Sequence, residues 1–295
     1  MYLNIEIRSK RSGSHDSFAN SSLLSNKPVA NDEGRLLRWI GHLPAVRRVV
    51  RRWGRTQSLT IKEQLECGIR YFDMRVTIPS CRSLSSSIRV VHALYGAELY
   101  RLLNEMNAFL ESHPKEVIII DFNHLYNFNA ITYKQLLKSI EIAFNPQKLC
   151  PRQDDLRQLS LERMWQNGYQ VIVISARERR IPTNAWVWPP KCILSPYPNV
   201  NRVYRLLRFL DTTLADHRKY PREIFFVTQG ILTPRVRDIG LHLRSSLENY
   251  MAKECTKRVT EWIQSYSNTS SFNIIICDFI DSNEFCNTVI SLNVR

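Results

Sequence analysis

Short β-branched runs alternate with longer amphipathic stretches along this chain. Apolar runs of roughly 4–8 residues bounded by polar or turn residues are typical of buried strands. They predict strands at residues 69–76, 88–92, 116–122, 169–175, 191–194, 224–228 and 273–279. Apolar residues recurring every three or four positions predict helices at 59–66, 98–112, 133–144, 203–217 and 241–266.

This order of elements determines the expected architecture. Strands that alternate with helices pair in parallel, and near-continuous apolar strands are buried on both faces. We therefore predict an α/β fold, a single (β/α)8 TIM-type barrel that takes in residues 1–295 as one domain. The length of 295 residues and the hydrophobic content of 44% agree, because α/β barrels of about 250 residues form a single domain.

Polar side chains stand at the ends of the predicted strands, where barrel enzymes place their catalytic groups. Because side chains alternate along a strand, Asp73 and Arg75 share one face, as do Asp121 and Asn123. The set of strand-end candidates is Asp73, Arg75, His92, Asp121, Asn123, Gln229 and Asp278. We expect these side chains to look into one barrel mouth.

Two histidines in polar or strand-end settings suggest a chemistry for that mouth. His15 lies in Gly13-Ser14-His15-Asp16-Ser17, and His92 ends Val90-Val91-His92. A pair of imidazoles can act as base and acid in displacement at phosphorus, and Arg75 can neutralise charge on the non-bridging oxygens. The set predicts a phosphodiester-cleaving site.

Five segments in this order carry a family resemblance. They are Gly-Ser-His-Asp-Ser at 13–17, Ile-Arg-Tyr-Phe-Asp-Met-Arg at 69–75, Val-His-Ala-Leu-Tyr-Gly at 91–96, Glu-Val-Ile-Ile-Ile-Asp-Phe-Asn-His at 116–124 and Gln-Gly-Ile-Leu-Thr-Pro at 229–234. The chain resembles the phosphatidylinositol-specific phospholipase C X domain-containing proteins, small eukaryotic relatives of the bacterial enzymes. The resemblance implies a phosphoric diester hydrolase acting on phosphatidylinositol-type lipids.

The resemblance also implies roles for individual residues. His15 would take the proton from the inositol 2-hydroxyl, His92 would protonate the departing diacylglycerol oxygen, and Asp278 would orient His15. Asp73 would orient Arg75 or bind a substrate hydroxyl, and Asp16 would support the loop. The expected ligands of the inositol hydroxyls are Asp121, Asn123 and Gln229.

The segment ahead of Gly13 departs from the family pattern. The family has an apolar segment running into Gly-Ser-His, whereas this chain has Arg8-Ser9-Lys10-Arg11-Ser12 after a short run from Tyr2 to Ile7. We therefore expect an irregular or truncated first strand and an atypical N-terminal segment at 1–12. A misplaced His15 would leave a lipid-binding barrel without activity.

The resemblance gives an expectation about metal ions as well. The large eukaryotic phospholipases bind calcium in this mouth, and one of their acidic ligand positions corresponds to Arg75. A fixed guanidinium supplies positive charge without a metal ion, as in the bacterial enzymes. We expect no cofactor and no calcium dependence, although Asp16, Asp73 and Asp121 are side chains that calcium could use.

The formal net charge of +14 indicates an anionic partner, either nucleic acid or an acidic lipid surface. Besides the lipid hydrolase and the inactive lipid-binding barrel, the charge allows a nuclease or another barrel phosphodiesterase. The missing nucleic-acid-binding motifs and two-metal cluster argue against the nuclease. The basic segment containing Arg47, Arg48, Arg51 and Arg52 is either a solvated helix face or a membrane contact. Trp186 and Trp188 belong to a second candidate contact, or else to a buried lid.

The cysteines and hydropathy bear on location. The seven cysteines form no CxxC pair and no zinc spacing, which favours reduced, cytoplasmic thiols. The N-terminal residues contain no apolar signal region, and aliphatic runs such as 117–120 are too short to span a bilayer. We expect a cytoplasmic protein that contacts membranes peripherally.

Overall fold

The computed structural model describes residues 10–24, 26–80, 84–153, 159–176, 184–217, 224–266, 272–282 and 284–294. Strands in these ranges are β1 (Arg11–Ser14), β2 (Ile69–Thr77), β3 (Arg89–His92), β4 (Leu94–Glu98), β5 (Ile118–Tyr126), β6 (Val171–Ser175), β7 (Val187–Trp188), β8 (Ile193–Leu194), β9 (Phe225–Gly230) and β10 (Ile274–Cys277). The α-helices are α1 (Arg35–Ile40), α2 (Pro44–Gly54), α3 (Ile61–Glu66), α4 (Leu99–Ser112), α5 (Ala130–Phe144), α6 (Leu161–Gln166), α7 (Val203–His217), α8 (Val236–Leu241), α9 (Lys253–Ser265) and α10 (Phe285–Ser291).

Eight of the strands form one curled parallel ladder, in the order β7-β6-β5-β2-β1-β10-β9-β8. The predicted α/β barrel fold is therefore confirmed. Its expected closure is corrected: within the described ranges β7 and β8 are not paired, so the sheet is a half-barrel. The two short strands are joined through Pro189 and Pro190, which have no amide hydrogen for a strand ladder.

The strand that carries His92 pairs differently from the prediction. β3 lies antiparallel to the end of β2, with Val90 opposite Val76, and continues into an antiparallel pair with β4. A parallel return would need a crossover of a dozen or more residues, usually a helix. The described parts of the connection between β2 and β3 contain no helix, so β3 folds back as a hairpin.

The first strand is short and irregular, as predicted. β1 has four residues, and its register against β2 shifts between Ser12 and Gly13. Gly13 allows close approach, because a Cβ there would lie 2.8 Å from both Ile276 Cγ2 and Tyr71 Cδ1. Arg11 is buried and donates from Nη1 to the Val117 carbonyl at 3.2 Å. Residues 1–9 of the atypical segment, with the Tyr2 to Ile7 run, lie outside the described residues.

Both faces of the sheet are buried, as its apolar strands predicted. The inner face packs into the barrel interior, around Tyr71, Ile119, Ile172, Trp188, Val227, Ile274 and Ile276. The outer face packs against the helices, through residues that include Phe72, Leu103, Ile120, Leu136, Val259, Ile275 and Val289. This two-layer core fixes the strand ends that form the barrel mouth.

The predicted helix at 241–266 is wrong in its first part. α8 already ends at Leu241, and α9 begins at Lys253 after a π-helical turn at Glu248–Ala252. Ser246 begins the second part as its N-cap: its Oγ accepts from the Asn249 amide at 3.2 Å, which favours a new helix start at this position over a continuous helix. No helix in the described part of the chain is both long and apolar enough to cross a membrane.

Candidate active site

His15 and Asp278 meet at the ends of neighbouring strands. His15 follows β1, Asp278 follows β10, and His15 Nδ1 lies 2.7 Å from Asp278 Oδ1. Both residues are buried. An ionised carboxylate only accepts hydrogen bonds, so Nδ1 carries the hydrogen in this contact. The other ring nitrogen, Nε2, is the one turned toward the rest of the site.

Asp16 is the centre of the charged cluster. Its Oδ2 lies 3.4 Å from His15 Nε2 and 3.2 Å from His92 Nε2, and its Oδ1 lies 2.5 Å from Arg75 Nε. Burial raises the pKa of Asp16, but Arg75, His92 and His15 outweigh it and lower the pKa to about 2. Asp16 therefore stays ionised and holds three cationic or protonatable groups together.

His92 is held from its opposite side. Its Nδ1 lies 2.6 Å from the carbonyl oxygen of Gly54, at the end of α2. A carbonyl can only accept, so Nδ1 is the donor and Nε2 faces Asp16. The next residue, Ala93, has a positive φ of 57°, and its amide donates to Asp32 Oδ2 at 2.7 Å. These contacts aim Nε2 of His92 at the same carboxylate oxygen that Nε2 of His15 faces.

The carboxylates around His15 favour its protonated form. Burial alone lowers its pKa, but Asp16, Asp278 and Asp73 together raise it to about 9. Arg75 responds in the same way: burial lowers its pKa, and the charges of Asp16 and Asp73 raise it above the usual range. Near neutral pH the site thus holds two cations, His15 and Arg75, beside the ionised Asp16.

Of the two roles predicted for Asp73, the contact with Arg75 is not formed, and binding of a substrate hydroxyl stays a prediction. Its Oδ2 accepts from the Asp16 amide at 3.1 Å, and its Oδ1 accepts from Asn123 Nδ2. The partner of Arg75 is Asp16, which the sequence placed only as a loop support. The physical reason is the left-handed turn at Asp16, with φ at 38°, which turns its carboxylate into the mouth.

The candidate hydroxyl ligands occupy the same end of the barrel. Asp121 accepts from the Tyr71 hydroxyl at 2.8 Å. Burial, only partly offset by that bond, and the charge of Asp73 raise its pKa to about 7. Gln229 donates from Nε2 to Ser195 Oγ at 2.8 Å and to its carbonyl at 3.0 Å. Both side chains are thus already held by neighbouring polar groups.

One set of side chains could hold a metal ion. Ligand atoms of His15, Asp16 and Asp73 lie within 4.8 Å of one another. Arg75 is beside this set and already pairs with Asp16, so positive charge is present without an ion. Calcium independence stays a prediction.

The basic segment is partly engaged by the protein itself. Arg47 donates to the carbonyls of Gly41 and His42, and Arg51 to those of Leu23 and Ser21. Arg52 donates to the Ser245 and Leu243 carbonyls. Arg48 is exposed. Three of the four arginines therefore link neighbouring loops through hydrogen bonds to carbonyls, and Arg48 is left as an exposed cation.

The two alternatives for the tryptophans, a membrane contact or a buried position, are decided in favour of burial. Trp188 is fully buried in the barrel interior, where Nε1 donates to the Cys150 carbonyl at 3.0 Å. Trp186 is 8% exposed and packs against the outer core. β7 carries Trp188 inward because it pairs with β6. Neither side chain is placed to contact a membrane.

Sequence reasoning missed several residues around the site. Thr56, Gln57 and Gln64 are fully buried, and Gln64 bonds to Ser14 Oγ at 2.7 Å and to the Ser17 carbonyl at 2.8 Å. A glutamine on the apolar face of the predicted helix at 59–66 was the available signal. Leu36 of α1 was also missed: it is 72% exposed, and Trp39 of the same helix, which belongs to the basic run, is 71% exposed.

The comparisons with known proteins agree with this geometry. No protein-family model matches the chain. The phosphatidylinositol-specific phospholipase C of Listeria monocytogenes has a similar structure, with a TM-score of 0.68 and 17% identity over 99% of this chain and 96% of that one. The S. aureus phosphatidylinositol-specific phospholipase C, in a structure concerned with its membrane binding, gives a TM-score of 0.65 at 16% identity, covering 99% and 95% of the two chains. The fold is therefore that of the bacterial phosphatidylinositol-specific phospholipase C barrels.

A curated relative defines the family. PI-PLC X domain-containing protein 2 of Mus musculus is 36% identical over 285 residues, which cover 95% of this chain and 81% of the relative. The chain belongs to the PI-PLC X domain-containing proteins.

Proposed function

We propose that this protein is a phosphodiesterase that cleaves phosphatidylinositol-type lipids between glycerol and phosphate. The observation that carries the proposal is the convergence of the two Nε2 atoms, of His15 and of His92, on Asp16 beside Arg75. One imidazole is backed by a carboxylate and the other by a carbonyl. This asymmetry suits a base and an acid that work on opposite sides of one phosphorus atom.

The proposed reaction proceeds by internal displacement. His15 Nε2 takes the proton of the inositol 2-hydroxyl, and the freed oxygen attacks phosphorus. The bond between phosphorus and the glycerol oxygen breaks, and His92 Nε2 donates its proton to that leaving oxygen. Diacylglycerol and a cyclic inositol phosphate are the products. Arg75, whose side chain is 24% exposed, stabilises the charge on the non-bridging oxygens.

Asp121, Asn123 and Gln229 are the proposed ligands of the inositol hydroxyls. Asp121 and Asn123 follow Ile120, which is level with Ser14 through Phe72, and Gln229 is the last but one residue of β9. All three therefore offer amide or carboxyl groups at the end of the sheet where His15 and Asp278 meet. Asp121 has a pKa of about 7, so near neutral pH it can either donate to a hydroxyl or accept from one. No cofactor is part of the proposed reaction.

The proposed partner is an acidic membrane surface, contacted peripherally from the cytoplasm. Leu36 and Trp39 of α1 and Leu43 beside it are exposed, and so is Arg48 of α2. α1 leads into α2, whose last residue, Gly54, accepts a hydrogen bond from His92, so we place this apolar and basic surface near the mouth. Cys67, Cys150, Cys255, Cys277 and Cys286 form no disulfide in the described part of the chain, which supports a reducing compartment.

A second candidate is a lipid-binding barrel with little or no turnover. The observation that favours it is the pKa of about 9 at His15, because a protonated imidazole cannot act as a base near neutral pH. Lipid binding without hydrolysis at any pH would select this candidate.

The test is headgroup release from phosphatidylinositol vesicles by the purified protein, from pH 6 to 10. We expect hydrolysis by the unmodified chain, in the presence of EDTA as well, and none above background by the His92→Ala variant. Absence of hydrolysis by the unmodified chain throughout this range, with vesicle binding retained, would refute the enzymatic proposal.

A further inference from the structure

A fully buried dipeptide, Thr56-Gln57, joins the two loops that carry His15 and Asp278. It lies between α2 and α3, and neither side chain is exposed. Gln57 Nε2 donates to the His15 carbonyl at 2.9 Å and to the Cys277 carbonyl at 3.0 Å. One amide group therefore bridges the end of β1 to the end of β10.

The two loops each contain a left-handed residue that is not glycine. Asp16, directly after His15, has φ at 38°, and Phe279, directly after Asp278, has φ at 48°. Such conformations are costly and persist only where surrounding contacts enforce them. They turn the chain sharply at the point where the two side chains must meet.

Thr56 holds both of these turns. Its Oγ1 donates to the Asp16 carbonyl at 3.0 Å, and its own carbonyl accepts from the Phe279 amide at 2.7 Å. Its amide in turn donates to the Ala19 carbonyl at 2.8 Å. Every polar group of this residue is used, and two of the three bonds fall on strained residues.

We propose that Thr56 and Gln57 are positioning residues that hold the His15–Asp278 pair in its working geometry. Their hydrogen bonds go to neither of the two side chains; they fix the backbone from which both side chains project. The consequence for turnover rests on the proposed function, whereas the effect on the geometry of the pair does not. The variants that test this are Thr56→Val and Gln57→Met, which remove donors while nearly preserving shape.

The chain offers a matched control for the lost hydroxyl. Thr260 is buried like Thr56, and its Oγ1 donates to the Thr256 carbonyl within α9 at 2.8 Å. Thr260→Val makes the same chemical change away from the strained turns. Thr56→Ser keeps the hydroxyl and serves as the conservative rescue.

The first measurement is an NMR titration of the His15 ring, which needs no substrate. We expect its pKa to fall from about 9 toward the ordinary 6.5 in Thr56→Val and Gln57→Met, and to stay in Thr260→Val and Thr56→Ser. The second measurement is hydrolysis of phosphatidylinositol. Here kcat should fall on the order of a hundredfold with little change in KM, as misplacement of a reacting group does.

The outcomes separate this proposal from the function itself. If the unmodified chain hydrolyses no lipid but the titration shifts as expected, the proposed function fails and the positioning role stands. An unchanged His15 pKa in folded Thr56→Val, or an equal shift in Thr260→Val, overturns the positioning role. If Gln57→Met does not fold, the result for Thr56→Val decides the positioning role. If Thr56→Val does not fold, the proposal is overturned, because Thr56 would then be required for the whole fold.

Discussion

His15 Nδ1 lies 2.7 Å from Asp278 Oδ1, although the two residues stand near opposite ends of the sequence. Pairing of β1 with β10 brings them together, with Ser14 opposite Cys277. The sequence left open whether an irregular first strand misplaces His15. The short strand instead places His15 in register with Asp278. The contact fixes the hydrogen on Nδ1 and leaves Nε2 for chemistry.

The first prediction concerns pH. His15 must lose its proton to act as a base, and its pKa is raised to about 9, so the reactive fraction grows as pH rises toward that value. We expect kcat/KM for phosphatidylinositol to increase from pH 7 to about pH 9. Asp278→Asn removes one of the charges that raise this pKa, so the rising limb should move to lower pH and the maximal rate should drop. A rate that falls steadily from pH 7 to 9 would contradict the assignment of His15 as base.

The second prediction concerns the two histidines themselves. His15→Ala and His92→Ala should each lower kcat by on the order of a thousandfold, within the range of general acid–base catalysis. His113→Ala is the control, because His113 is exposed at the end of α4 and stacks on Phe109. Circular dichroism should show the same fold in all three variants. Near-normal turnover by His92→Ala would remove it as the acid.

The barrel could be predicted from the sequence because its main strands are continuous apolar runs. In β5, Ile118, Ile119 and Ile120 are all fully buried, and such a run on both faces is compatible only with a covered parallel sheet. The two-residue strands β7 and β8 carry too little pattern to predict closure. Whether β7 and β8 pair depends on which backbone amides and carbonyls meet, and the hydropathy pattern carries no information about that pairing.

The candidate site was predicted as a set of residues but not as a network. Motif positions identified His15, His92 and Arg75, and the end of the last predicted strand identified Asp278; the structure brings all four to one mouth. The role of Asp16 as their shared partner depends on a single left-handed turn, and a residue type alone does not show its φ. Thr56 was invisible for a similar reason: its function lies in backbone contacts that form only when three loops meet.

The third prediction concerns metal ions. Arg75 Nε pairs with Asp16 Oδ1, so the site already contains a fixed cation beside its carboxylates. We expect EDTA to leave most of the activity, measured as headgroup release from vesicles. Arg75→Lys should lower headgroup release far more than its retained charge suggests, because an ammonium cannot reproduce the planar geometry of the guanidinium. Loss of activity in EDTA that calcium restores would overturn this prediction.

The fourth prediction concerns stability of the first strand. A Cβ at Gly13 would lie 2.8 Å from side-chain atoms of Ile276 and Tyr71, so Gly13→Ala overpacks the barrel interior. We expect a loss of about 1–3 kcal/mol in the free energy of unfolding, measured by urea titration. Gly34→Ala is the control, since nothing lies within 4 Å of its added Cβ, and it should change stability little. Equal stabilities of the two variants would mean that β1 has room for a methyl group beside Ile276 and Tyr71.

The last prediction concerns the membrane contact. Leu36 and Trp39 are exposed on α1 beside the basic segment, and burying each in a lipid surface would contribute about 1.5–3 kcal/mol. Leu36→Ala combined with Trp39→Ala should therefore weaken binding to acidic vesicles by roughly tenfold or more, while hydrolysis of a soluble short-chain substrate is retained.

Ile142→Ala is the control: Ile142 is 58% exposed, at the end of α5 away from the mouth. Binding of the unmodified chain should also fall with salt, because Arg48 and its neighbours act only within a Debye length of the anionic surface. If the double variant binds acidic vesicles as tightly as Ile142→Ala does, α1 is not the contact surface.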